Sequence, residues 1–372
     1  MGAGHQGAAT EMARRLAARG RRPVVVDFLD AFPRPLAVAW ERFYRYQLRC
    51  MPESYESSYQ LFYRHPGLWE PFVTFERSLA GRRVMSWIDR YDPDVVVSTY
   101  SFATLVLGRL RQEGAVRVPV ANFLTDFGVH PRAVHPAVDL DLALHEVPAA
   151  AAARFTTRPA TVAGPLVGPD FADATVVAGR RASGRSWLGL APEERLVLVA
   201  AGSWGVGERL VETVAAIAGS GRFRVATVCG SDRRLQRRLE ERRLDLVLGW
   251  TDRMPDLMAA ADVVVENAGG LTSLEAFAAG VPIVTFRPIP GHGRDNVRAM
   301  VAAGVTTSPA DEAGLLAALD ALAHPGPARD RQVAAGRALF RGDPVDHVIA
   351  LADRAPALGP PALSSSSPIS SG

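Results

Sequence analysis

The residues with the most chemical potential lie in four clusters. The longest, Glu266 to Asn296, reads ENAGGLTSLEAFAAGVPIVTFRPIPGHGRDN and follows the apolar run Val263 to Val265. Gly269 and Gly270 allow close approach of backbone to a ligand. The helix expected after them turns free N–H groups and the positive end of its dipole toward that turn. A phosphate group suits such a place. Glu275 falls one turn into the helix, where a carboxylate can accept both hydroxyls of a ribose. The loop Pro288 to Asn296 then brings His292, Arg294, Asp295 and Asn296 together, a set able to read sugar hydroxyls. Singly, each residue has an ordinary explanation as turn glycine or solvated charge. Their order along the chain carries the inference.

A second cluster opens the chain. Gly2, Gly4 and Gly7 spell G-x-G-x-x-G, and Asp27 ends the next apolar run about 20 residues on, the spacing of a dinucleotide-binding fingerprint. An oxidoreductase would use that turn for pyrophosphate and Asp27 for ribose, leaving Glu266 to Asn296 without a task. The same turn also carries His5, a side chain suited to proton transfer near neutral pH. A third cluster, Leu124-Thr125-Asp126-Phe127-Gly128-Val129-His130-Pro131, continues to His135 and Asp139 and follows an apolar strand. It therefore opens at the carboxyl end of a sheet, where ligands bind in such folds. Five residues apart, His130 and His135 fall on different faces of a helix with no Cys or third His close by, so no metal site is expected. A fourth set comprises Ala201 to Gly207, with Gly202, Ser203, Trp204 and Gly205 expected as a strand-to-helix turn offering N–H donors, and Gly249-Trp250-Thr251.

The composition is that of a folded α/β protein. At 372 residues, 48% of them hydrophobic, the chain has material for two cores. All 42 basic residues are Arg and the net charge is only +3, which argues against a dedicated nucleic-acid binder. No long uninterrupted apolar stretch and no signal-like N-terminus are visible, so a cytoplasmic location is expected, with peripheral contact on the inner face of the membrane left open. Cys50 and Cys229 are expected as free thiols.

Strand-like runs alternate with helical ones: Val24 to Asp27, Asp94 to Ser98, Val118 to Leu124, Leu196 to Ala200, Arg224 to Cys229, Leu246 to Leu248, Val263 to Val265 and Ile283 to Phe286. The pattern predicts parallel sheets flanked by helices. Gly164 to Pro169 reads as a hinge. The expected division is 1–165, 166–355 and a disordered Pro/Ser-rich tail, 356–372, with a last helix opened by Asp343-Pro344 and free to pack back on the first domain. Because the chain opens on a glycine turn with no strand before it, the first strand of the N-terminal sheet is expected to be missing. Aromatics from Trp40 to Phe72, interleaved with Arg42, Arg45, Arg49 and Arg64, suit a water–lipid boundary or an ordinary buried helical pair equally.

Taken together, Gly269, Gly270, Leu271, Thr272 and Glu275, the IPGHGRDN loop, the GxGH turn and TDFGVHP resemble the family of monogalactosyldiacylglycerol synthases, processive diacylglycerol glycosyltransferases and MurG-like enzymes. The resemblance covers about residues 1 to 345 and implies a GT-B fold of two Rossmann-like doubly wound domains facing a cleft. It implies a UDP-sugar-dependent, inverting hexosyltransferase acting on a lipid or other hydrophobic acceptor, diacylglycerol first, with no cofactor, metal or nucleic acid. It makes His5 the general base helped by Asp126. Donor binding falls to Gly202, Ser203, Trp204, Gly205, Trp250, Thr251, Gly269, Gly270, Leu271, Thr272, Glu275, Asp295 and Asn296, and acceptor binding to Gly4, Phe127, His130 and His135. Val134 stands where the family pattern has Trp. Two further readings stay open: an NAD-dependent oxidoreductase and a catalytically inactive nucleotide-sugar binder.

Overall fold

The computed structural model describes residues 3–156 and 158–358. Gly2 of the glycine triad and the tail from residue 359 lie outside the described residues. Two parallel sheets form the frame. The first has strands β1 (Val96–Ser98), β2 (Val120–Phe123), β3 (Leu140–Ala143) and β4 (Thr161–Val162) in spatial order 1-2-3-4. The second has β5 (Leu196–Ala200), β6 (Arg224–Val228), β7 (Leu246–Leu248), β8 (Val263–Glu266) and β9 (Ile283–Thr285) in the order 7-6-5-8-9. Valine-rich β5 and β8 are buried along their whole length, as strands covered by helices on both faces must be. Val197 pairs with Val263 where the strand order reverses, which fixes the site at the carboxyl ends of β5 and β8.

Helix α1 (Ala3–Ala18) takes up the stretch expected as a glycine turn. Gly4 and Gly7 lie on it and face Leu271; a Cβ on Gly7 would stand 2.8 Å from Leu271 Cδ2. These glycines let a helix approach the second half of the molecule rather than cradle a pyrophosphate. Asp27 accepts the Leu29 N–H at 2.9 Å, capping a short 3₁₀ turn. The dinucleotide fingerprint is therefore not realised as a phosphate turn.

Val24 to Val26 are extended but pair with no strand among the described residues, and they are 57, 44 and 40% exposed. A β-branched run becomes a strand only when a neighbour satisfies its backbone, so the expected strand at Val24–Asp27 is corrected. Conversely, β3 and β4 were not anticipated, since four residues interrupted by Asp141 and a two-residue strand carry too little periodic signal.

The chain crosses between the halves twice. Residues 163–168 form no regular element, and a Cβ on Gly164 (φ +86°) would lie 2.7 Å from the Leu339 carbonyl oxygen. The return passes 339–343 into the last helix, Pro344–Leu358, whose first turn is capped by Asp343 accepting the Val345 N–H at 3.1 Å. That helix and its capping Asp343 clasp α1 and the turn after it through Arg15–Asp343 at 3.3 Å, Arg19–Asp343 at 3.1 Å and Arg21–Asp353 at 2.9 Å.

Candidate active site

A cavity of about 690 Å³ lies between the sheets, lined from the first half by His5, Thr125 and Asp126 and from the second by Ser203, Gly270 and Thr272. Among the sequence-derived candidates Gly4, His130, Gly202, Trp204 and Leu271 also line it.

His5 sits in the first turn of α1. Its Nδ1 is 2.7 Å from the Thr99 carbonyl oxygen and 3.1 Å from Thr125 Oγ1. A carbonyl can only accept, so in the neutral ring Nδ1 carries the hydrogen and Nε2 keeps its lone pair. Nε2 has no hydrogen bond among the described residues. Tyr100 packs edge-on at 5.0 Å and limits ring rotation. The orienting group is thus a backbone carbonyl.

Asp126 is placed differently from the expectation that it assists His5 directly. Its carboxylate accepts from Asn296 Nδ2 at 3.2 Å and faces Thr125 Oγ1 at 3.5 Å. Asn296, 1% exposed, bridges the halves: its Oδ1 accepts from the N–H groups of Phe127 (2.6 Å) and Gly128 (2.9 Å), and its Nδ2 donates to the carbonyls of Ala268 and Gly269, both 3.0 Å. Every polar atom of this amide is engaged within the protein, so it fixes the two turns against each other and is not free for a sugar. Asp295 is likewise engaged, accepting from Tyr59 Oη at 2.8 Å.

The Gly-rich turn is held open by Glu266, a residue the sequence did not single out. Its buried carboxylate accepts the N–H groups of Ala268 (2.7 Å) and Gly269 (2.6 Å) and the Thr285 hydroxyl. Gly269, at φ +69°, has no room for a Cβ, which would meet Met300 Sδ at 2.5 Å. The helix Leu271–Ala279 starts directly after Gly270 and points its free N–H groups into the cavity. Glu275 lies one turn in and accepts no hydrogen bond among the described residues.

Burial alone pushes the Glu275 carboxyl from 4.5 up to about 8. A raised folded-state value means that stability present below pH 4.5 is lost as pH climbs through about 8. Glu275→Gln is expected to flatten that decline, matching the parent melting temperature at pH 4 and exceeding it by several degrees at pH 8.5. Parallel melting curves for the two proteins across this range would show another group to be responsible.

Several candidates stand outside the cavity. Phe127 is fully buried and packs beside Phe277, with ring centroids 6.3 Å apart, so it cannot contact an acceptor. His135 is turned against Gly108 and accepts the Ala137 N–H at 3.1 Å. Asp139 pairs with buried Arg111 at 2.8 Å. Trp250 is 65% exposed beyond β7, and Thr251 accepts the Arg253 N–H at 3.1 Å. The Gly202–Gly205 turn does not open a helix: the next one, Leu210–Gly219, starts later, behind Arg209 in the left-handed region. No group of three or more potential metal ligands is found among the described residues.

The aromatic segment forms α2 (Arg34–Cys50), α3 (Pro52–Arg64) and the start of α4 (Glu70–Tyr91). One face of α3 grips the loop Pro288 to Asn296: Tyr55 Oη is 2.9 Å from His292 Nδ1, and Glu56 accepts the Gly291 N–H at 2.6 Å. Trp40, Phe43, Tyr46, Phe72 and Phe75 remain 42 to 58% exposed. No helix among the described residues is long and apolar enough to cross a membrane.

Two facing parallel-sheet halves with a cleft at their carboxyl ends define the GT-B fold, and known structures agree. The model is similar to Os79 from O. sativa in complex with UDP (TM-score 0.59, 16% identity, 95% of this chain and 97% of that one) and to the calicheamicin glycosyltransferase CalG4 (TM-score 0.52, 19% identity, 76% and 81%). In sequence, residues 5–157 match the monogalactosyldiacylglycerol (MGDG) synthase model and residues 197–324 that of glycosyl transferases group 1. A processive diacylglycerol beta-glucosyltransferase of Bacillus subtilis (strain 168) is 26% identical over 225 residues, 59% of this chain and 57% of the relative's own length. One of Bacillus thuringiensis (strain Al Hakam) is 23% identical over 285 residues, 72% of this chain and 69% of that one. The fold is thus GT-B, and in sequence the first half is similar to MGDG synthases and the second to glycosyl transferases of group 1.

Proposed function

We propose that the chain transfers a hexose from a UDP-sugar to a hydroxyl of a hydrophobic acceptor, diacylglycerol first, in one inverting displacement. The observation that supports this most is the setting of His5, locked through Nδ1 with Nε2 unpaired among the described residues, in a cavity shared with the N-terminus of the helix Leu271–Ala279. His5 removes the acceptor proton as the acceptor oxygen attacks the sugar C1. The helix N-terminus receives the charge that develops on the departing UDP, a contribution of up to about 2 kcal/mol. Glu275, Gly270 and Thr272 hold the nucleotide. Asp126 acts on the site's field and, through Asn296, on its geometry. The apolar rings exposed on α2 and α4 lie against a membrane surface, making the protein peripheral there. The oxidoreductase reading loses its support because Gly4 and Gly7 lie within a helix.

Melting temperature with saturating UDP and, separately, NAD tests the donor side. A ligand at about 100 times its Kd stabilises by about 2.7 kcal/mol, so a rise of several degrees with UDP alone is expected. A rise with NAD alone would overturn the reading. Product formation from UDP-hexose and diacylglycerol separates an enzyme from an inactive binder.

A further inference from the structure

The acceptor side of the cavity contains a buried cation that the reaction above does not use. Arg132 follows His130-Pro131 in a short 3₁₀ turn, and its guanidinium lies between two aromatic faces, 3.4 Å from the Trp69 ring centroid and 4.2 Å from that of Phe102. Its faces are therefore covered and only its edge can bind. On that edge Nε and Nη2 are buried without a hydrogen-bond partner among the described residues, as is the neighbouring indole Nε1 of Trp69.

The acid facing it is Glu76 on α4, whose Oε1 stands 3.7 Å from Nη2, too far for a hydrogen bond, while its Oε2 is itself unpartnered among the described residues. Burial pushes the Glu76 carboxyl up to about 7, so near neutrality it offsets the arginine only in part. Unsatisfied buried donors and an incompletely paired buried cation are each costly. Three orphan nitrogen donors, two on this cation and one beside it, call for an oxyanion, and the in-plane edge of a guanidinium matches carboxylate or phosphate in a bidentate fashion. Both Trp69 and Arg132 line the cavity, next to the apolar rings of Phe62, Phe72 and Phe102.

We infer that Arg132 and Trp69 form an oxyanion subsite within the acceptor cavity, which narrows the hydrophobic acceptor from a neutral diacylglycerol to an amphiphile carrying a phosphate or carboxylate group beside its apolar chain. This rests on the assignment of that side of the cavity to the acceptor, and it requires no transfer to be tested.

The full chain is titrated by calorimetry with n-dodecyl phosphate, n-dodecanol and inorganic phosphate, all below the micellar range. Dodecyl phosphate is expected to bind at least about tenfold more tightly than dodecanol, as for a charge-assisted bidentate contact, and Arg132→Gln is expected to erase that advantage while keeping its UDP response. Displacement of dodecyl phosphate by inorganic phosphate at equal concentration would support the subsite and assign it to the free ion; no displacement assigns it to a headgroup. Equal binding of phosphate and alcohol, or an advantage that survives Arg132→Gln, would overturn the inference. If Arg132→Gln does not fold, Trp69→Phe decides: it keeps the ring and removes one donor, so a reduced preference supports the subsite and an unchanged one removes it. A lost UDP response in the parent protein would instead count against the donor reading, leaving the oxyanion result standing.

Discussion

Replacing His5 by alanine is expected to slow transfer by about 10² to 10⁴, the range for losing a positioned proton acceptor, while the UDP-induced rise in melting temperature stays unchanged. The separation follows from where the imidazole is held. Its contacts, Thr99 and Thr125, belong to the first half of the molecule, whereas the nucleotide side we propose rests on β5, β8 and the helix after Gly270. Substrate saturation curves and UDP melting shifts on the same preparation check it. Turnover within a few-fold of the parent would remove His5 from the mechanism, and a lost UDP response would show that the variant disturbs the fold instead.

The second large effect is structural. Asn296→Leu keeps the branched shape but leaves the Phe127 and Gly128 N–H groups without their acceptor and the Ala268 and Gly269 carbonyls without their donor. Each stranded buried group costs about 1–3 kcal/mol, so a loss of several kcal/mol is expected, with no UDP response left above the melting transition. Arg298→Ala, two positions away with its side chain 70% exposed, should change stability by no more than about 0.5 kcal/mol. Chemical denaturation of the three proteins decides it. A stability loss for Asn296→Leu no larger than for Arg298→Ala would mean that the turns hold each other without the amide.

Much of this was legible from residue order. Parallel strands buried on both faces announce themselves as Val-rich runs, so five strands of the second sheet and the Gly269-Gly270 turn could be read directly. What the sequence hid was pairing. Val24 to Val26 and Val263 to Val265 look alike as strings, yet only the second run has partners on both sides. Glu266 carries no signal of its own in the sequence because nothing local distinguishes a solvated carboxylate from one folded back onto its own turn. Asp295 and Asn296 had the right chemistry for sugar, but contacts more than 160 residues away in sequence, to Phe127 and Tyr59, consume them. Gly4 and Gly7 misled for the opposite reason: a spacing that serves a phosphate turn serves equally well to thin one face of a helix.

The two passages of the chain between the halves touch each other. A Cβ on Gly164 would strike the Leu339 carbonyl oxygen, and one on Gly342 would stand 2.9 Å from that of Ala163. A tether crossed once lets two bodies swivel in any direction. Two tethers laid side by side, with no side chain between them, constrain each other as one tether could not. The contacts of Tyr55, Glu56 and Tyr59 with the loop before Asn296 join the halves at a second place, so the cleft is framed by one covalent and one non-covalent closure.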